Sequence, residues 1–123
     1  EPHVLPACFA TRSGKRVLRW GSSRGRLSLS LDSGRRFARV NALPRGYFAA
    51  SAVDPRGQMV SALKLNSPIP TMLSSVYFSQ NNGRQWRQLR HTPRDVQGAA
   101  ISGNNLLLGG AAGLVRGELS RLR

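Results

Sequence analysis

Two stretches of the chain align at a constant offset of 49 residues: Ser30-Leu31-Asp32-Ser33-Gly34-Arg35-Arg36-Phe37 and Ser79-Gln80-Asn81-Asn82-Gly83-Arg84-Gln85-Trp86. Serine, an Asx residue, glycine, arginine and an aromatic recur in register. A period of about 40 to 50 residues built from short apolar runs specifies an array of small sheets, most simply propeller blades. Length limits the array, because 123 residues suit one domain, whereas a closed propeller takes about four or more four-stranded blades. The sequence therefore predicts an all-β chain of antiparallel four-stranded blades, roughly two and a half of them. Oligomerisation, or chain outside this sequence, would complete the ring.

The strand pattern supports this order of elements. Leu27, Leu29 and Leu31 alternate with Ser28 and Ser30, the mark of a strand with one buried face, and Val76 to Phe78 is the matching segment. Val53-Asp54-Pro55-Arg56-Gly57-Gln58-Met59-Val60 reads as strand, type I turn, strand, with Pro and Gly at the positions that turn favours. Ile101 to Leu107 and Arg12 to Leu18 repeat the arrangement, giving three hairpins of one expected kind. Hairpin, strand, Ser-x-Asx-x-Gly turn and strand then define blade units at about 8–43, 47–89 and 97–123, the third incomplete. Lys64 to Met72, with Pro68 and Pro70, is expected to be an inserted loop on one blade edge.

Ser30, Asp32, Gly34 and Phe37 resemble the Asp-box of bacterial neuraminidase-type repeats, and Ser79, Asn81, Gly83 and Trp86 depart from it by Asn for Asp. The Gly-rich lead-ins Gly21 to Leu27 and Gly110 to Leu114 resemble the photosystem II assembly-factor branch of these propellers. The resemblance implies a fold more than an activity, since the box occurs in sialidases, sorting receptors, cellulose-degrading enzymes and assembly factors. Its physical logic is structural. The Asx side chain folds onto turn amides, the serine adds a local hydrogen bond, the glycine takes a positive φ, and the aromatic packs between sheets. Calcium at Asp32 fails for want of a second nearby carboxylate.

Charge points to partners. The chain carries 19 Lys plus Arg against 5 Asp plus Glu, a net +14; Lys15 and Lys64 are the lysines, leaving 17 arginines. Ten of the 19 cations lie in the first 45 residues. Such a field attracts polyanions, acidic headgroups or an acidic protein face. Arg35, Arg36, Arg84 and Arg87 flank the two repeated turns, and Arg16, Arg19, Arg24 and Arg26 lie on or beside the first unit's strands. Together these eight form the expected recognition face for an acidic protein partner, with self-association as the other expected contact. Nucleic acid is a second class, with Trp20 and Tyr47 as the aromatics free for stacking.

Catalytic groups are few. Of the five acids, Asp32 belongs to the repeated turn and Asp54 to Asp-Pro-Arg-Gly, leaving little for the carboxylate pair of a glycosidase. A sialidase of the fold would want an Arg-Ile-Pro element that is absent from the sequence; Tyr47 or Tyr77 with Glu118 is the residual possibility. His3 and His91 are isolated, without metal-ligand spacing, and are expected at the surface. The reading is a non-catalytic binding or assembly-factor module without cofactor or metal; the alternatives are a carbohydrate-binding or sialidase-like propeller and a basic nucleic-acid-associated subunit. Glu1 in place of Met leaves room for a removed signal peptide and an extracytoplasmic, periplasmic or secreted location. Cys8 is the sole cysteine; Leu5-Pro6-Ala7-Cys8 faintly resembles a lipidation box, but seven residues precede the cysteine, and a small buried core thiol is the expectation.

Overall fold

The computed structural model describes residues 8–65, 73–110 and 113–122. They form three antiparallel sheets. The first orders β1 (Cys8–Ser13), β2 (Arg16–Gly21), β3 (Ser28–Ser30) and β4 (Ala38–Arg39) consecutively, and the second does the same with β5 (Tyr47–Val53), β6 (Met59–Lys64), β7 (Ser75–Ser79) and β8 (Arg87–Gln88). The third places β10 (Asn105–Gly110) between β9 (Val96–Ser102) and β11 (Gly113–Glu118). The chain is thus nearly all β, built as successive blades.

Registers carry the 49-residue repeat into three dimensions. Val17 pairs with Ser30 in the first sheet and Met59 with Ser79 in the second, so the two serines occupy equivalent positions. Each lies against its outer turn, where Ser33 and Gly34, then Asn82 and Gly83, take positive φ in succession. The Ser33 amide donates to the Lys15 carbonyl and the Asn82 amide to the Gly57 carbonyl, tying each outer turn to its own blade's inner hairpin.

The third sheet departs from this pattern. Where another Ser-Asx-Gly turn is due, the chain forms a short helix, α1 (Leu119–Leu122). Its first amide donates to the Asn104 carbonyl, and the Asn104 side chain pairs with the Ser120 amide and hydroxyl. One helical turn therefore makes the anchorage that the outer turns make elsewhere.

Two apolar clusters lie between the sheets, as single-sided sheets require. Leu18, Trp20, Leu27, Val40 and Leu43 of the first blade meet Phe48, Met59 and Leu63 of the second. Ala52, Val60, Ala62, Val76 and Phe78 of the second meet Val96, Leu106 and Leu108 of the third and Leu119 of the helix. Trp86 packs against the first of these clusters, with its indole Nε1 donating to the Gly83 carbonyl at 2.9 Å. Phe37, its equivalent, is half-buried beneath the Arg19 guanidinium, 3.9 Å from the ring centre.

Several expectations need correction. Cys8 is exposed at the start of β1, not buried in a core. Lys64 is the last, buried residue of β6 and not the start of a loop; 66–72 lie outside the described residues. The hairpins are of two kinds. Ser13 pairs with Arg16 and Ser102 with Asn105 across two-residue turns opened by a positive-φ glycine, Gly14 and Gly103. The middle one is longer, and buried Asp54 folds into it: Oδ1 accepts from the Arg56 and Gln58 amides and Oδ2 from the Gln58 side chain.

Candidate functional site

The two outer turns present the candidate residues. Ser30 Oγ accepts from the Gly34 amide at 2.8 Å and donates to Asp32 Oδ1 at 2.7 Å, while Asp32 Oδ1 also accepts from the Arg36 amide at 2.9 Å. Ser79, Asn81 and Gly83 repeat the geometry, with the Gln85 amide donating to Asn81 Oδ1 at 3.0 Å. An amide oxygen serves here as well as a carboxylate, which is why Asn is tolerated. The Arg36 amide and the Ser30 hydroxyl, more than the opposing effect of burial, hold the Asp32 carboxyl below its ordinary value.

The eight candidate arginines divide. Arg35, Arg36, Arg84 and Arg87 stand exposed around the outer turns. Arg16 is half-buried and reaches into the next blade, with Nε to Asn82 Oδ1 at 2.6 Å and Nη1 to the Pro55 carbonyl at 2.9 Å. Arg24 also crosses to the second blade, at the Leu65 carbonyl, and Arg26 holds the Leu43 carbonyl at 3.0 Å. With Arg19 stacked on Phe37, the first unit's four arginines contribute to blade architecture. Arg56 continues the series, since Nη2 donates to the Gly103 carbonyl of the third blade at 2.9 Å. Trp20, expected free for base stacking, is instead core, and Tyr47 is half-buried.

Among the described residues each acid has a partner. Asp54 caps its hairpin, and Glu118 meets Arg121 at 3.4 Å in an exposed pair. Asp95 accepts from Lys64 Nζ at 2.6 Å and from Gln97 Nε2 at 2.9 Å. Lys64 is 6% exposed and Asp95 5%, so this ion pair is buried where the second blade meets the third. The Lys64 hydrogen bond, outweighing burial, holds the Asp95 carboxyl below its ordinary value. Sequence reasoning left Asp95 unassigned. Its signal was the 49-residue register, which places it on Gly46 of the preceding unit. No group of three metal-ligating side chains occurs among the described residues. His91 is exposed, and His3 lies outside them.

Grooves on the rim recur with the repeat. One of about 340 Å³ lies between the first blade's outer strand and the second outer turn, with Leu29, Leu31 and Ala38 on its blade side and Gly83 and Arg84 on its turn side. The equivalent groove one blade on holds about 400 Å³ and sets Phe78, Gln80 and Arg87 against Leu122 of α1. Asn81, Gln85 and Trp86 complete its lining. Nothing in the sequence marked this groove, because Leu122 of its apolar lining comes from the third unit.

No protein-family model matches the sequence, and no curated protein does. Among solved structures the chain is similar to an ancestral GH74 enzyme, at 18% identity and a TM-score of 0.64, over 89% of this chain and 16% of that one. It is also matched to the GH74 xyloglucanase of Xanthomonas campestris at 18% identity and a TM-score of 0.37, over 85% of this chain and 26% of that one. The first likeness supports the propeller fold. The chain spans about a sixth of that enzyme's length.

Proposed function

We propose that this chain is a non-catalytic binding segment of a propeller whose arginine-rich outer edge engages an acidic protein partner. One observation carries the reading: the charges are sorted. Asp32, Asp54 and Asp95 are bound into turns or an ion pair, while Arg35, Arg36, Arg84 and Arg87 stand exposed beside rigid turns. Guanidiniums on a preorganised turn engage carboxylates bidentately with little further ordering. An assembly role and an extracytoplasmic location belong to the same reading; no described helix is long and apolar enough to cross a membrane. The test is titration with a glutamate-rich peptide and with duplex DNA at about 0.15 M salt. Replacing the four arginines by glutamine should weaken peptide binding about tenfold, on the scale of several exposed ion pairs. Unchanged affinity, or tighter binding to DNA, defeats the proposal.

A second reading, a carbohydrate-binding or glycosidase-derived propeller, is favoured by the fold likeness to GH74. The partnered acids among the described residues support glycan binding within it more than hydrolysis.

A further inference from the structure

The geometry points to a saccharide site in the rim groove between the second outer turn and α1, one that takes a sugar bearing a carboxylate; this rests on the glycan-binding reading and names its site and ligand. The repeat supplies an internal comparison. At equivalent blade positions, 49 residues apart, Leu29, Leu31 and Ala38 of one groove become Phe78, Gln80 and Arg87 of the other. The strand walls of the two grooves are equivalent while the facing walls differ: the second outer turn with Arg84 closes the first, which Arg39 also lines, and α1 closes the second. Two of the three substitutions exchange an aliphatic side chain for a hydrogen-bonding one, and the third enlarges the core behind the groove.

The resulting lining suits a pyranose. A sugar ring offers an apolar C–H face and a rim of hydroxyls, and it needs an apolar wall beside planar donors and acceptors. Trp86 and Leu122 form such a wall, with the core residue Phe78 behind them. The indole is pinned by its bond to the Gly83 carbonyl, so little side-chain entropy remains to be lost on binding. Exposed Gln80 and Gln85 bring amides to the hydroxyls, and Asn81 Nδ2 steadies Gln85 Oε1 at 3.4 Å. A volume of about 400 Å³ lies within the small-ligand range of roughly 300–1,000 Å³.

Charge selects the kind of sugar. The lining contains no carboxylate, and Arg87 is its one charged side chain. An exposed guanidinium at the groove edge pairs a uronate carboxylate bidentately, and the net charge of +14 raises the local concentration of anionic ligand. The groove is open, so affinity should be modest, with Kd on the order of 0.1–1 mM.

The test titrates the chain with trigalacturonate, a neutral xylo-oligosaccharide of equal length and a glutamate-rich peptide, followed by amide and indole NMR shifts. Trigalacturonate should move the Trp86 Nε1–H and the Gln80 and Gln85 side-chain amides and bind best. The Q80L/R87A double variant, which installs the other groove's residues, should bind it about tenfold less well, about 1.4 kcal/mol, with an unchanged circular dichroism spectrum. Arg87→Lys, which keeps the charge and loses the bidentate fork, should bind with intermediate affinity. If the double variant binds trigalacturonate as the parent does, the site is wrong and the glycan reading survives. If neither sugar binds, both fail. Equal affinity for the neutral sugar overturns the carboxylate assignment, and preferential shifts of the groove by the peptide assign it to the acidic partner.

Discussion

The two joints between blades solve one packing problem with different chemistry. At the first, large side chains interdigitate: Trp20, Leu27, Leu43, Phe48 and Leu63. Beside them the backbones of Gly25 and Gly46 exchange two hydrogen bonds of 3.0 and 2.9 Å. A Cβ on Gly46 would lie 2.5 Å from Leu63 Cδ1 and 2.7 Å from the Lys64 carbonyl, so only glycine permits that approach. At the second joint Phe78, Leu106, Leu108 and Leu119 pack with the smaller Ala52, Ala62, Val60, Val76 and Val96. There Asp95 stands where the register places Gly46, and its carboxylate takes the Lys64 ammonium instead. Both joints rest on apolar burial, and beside it the first has a backbone exchange where the second has a buried charge pair. A repeat thus conserves strand positions while leaving the chemistry between blades free to change.

The largest effect should come from emptying the first joint. Leu27 is fully buried, and Leu27→Ala should cost about 2–5 kcal/mol in denaturant unfolding. Val76→Ala at the second joint removes less volume and should cost about 2 kcal/mol. A cost at Val76 equal to or above that at Leu27 would mean that the second joint is the tighter one.

Next comes Asp95→Asn, which leaves the Lys64 ammonium buried without its carboxylate and should destabilise the chain at neutral pH. The sign with pH follows from the lowered carboxyl value. Asp95 contributes stability fully above the unfolded aspartate value of about 3.9 and loses it as pH falls through the lower folded value. The parent should therefore weaken below about pH 4, and the variant's acid branch should be shallower, keeping the part due to Asp32, whose carboxyl is also lowered. Hydrogen exchange read blade by blade locates the effect. At pH 3, β9–β11 amides should lose more protection than β1–β3 amides, and uniform loss would break the contrast between the joints.

What was legible in the sequence was local. The Ser-Asx-Gly spacing and the Gly-led hairpins depend on neighbours a few residues away and stand as turns, whereas the Leu27 to Leu31 run stands as strand over Ser28–Ser30 alone, with Ser30 buried in its turn and Leu31 exposed. What was illegible depended on how blades stack. Lys64 and Asp95 are 31 residues apart, and Arg16 meets Asn82 across 66. Neither pairing leaves a mark in its own neighbourhood, so the sequence shows neither the inter-blade bonds of Arg16 nor the burial of Lys64. Trp20 read as free for the same reason, since its burial is supplied by the second blade. The candidate site was half legible. The exposed arginines follow from the turns they flank, whereas the rim groove needs α1, which replaces the turn that periodicity anticipates.

The arginine staples extend the comparison at smaller scale. Arg16 is half-buried and makes two inter-blade bonds, and Arg16→Ala should cost about 1 kcal/mol after allowance for its partial exposure. Arg56 holds one carbonyl and an Asp54 oxygen at 3.7 Å while its side chain is 57% exposed; Arg56→Ala should cost less than about 0.5 kcal/mol. Equal costs would show that the staples act through charge and not through burial.

Smallest of all should be Asn81→Asp, which makes the second outer turn identical in kind to the first. Asn81 Oδ1 already accepts from the Gln85 amide and the Ser79 hydroxyl, so the carboxylate replaces an acceptor that is in place. What changes is charge and one donor: Asn81 Nδ2 no longer reaches Gln85 Oε1, and a negative group enters a strongly basic rim. The two should nearly cancel, leaving stability within about 0.5 kcal/mol of the parent. The rim groove gives the sharper reading. A carboxylate beside Gln85 and Arg87 repels an anionic sugar, so trigalacturonate binding should weaken while the neutral sugar is unaffected. Equal weakening of both would place the change in the shape of the turn rather than in its charge.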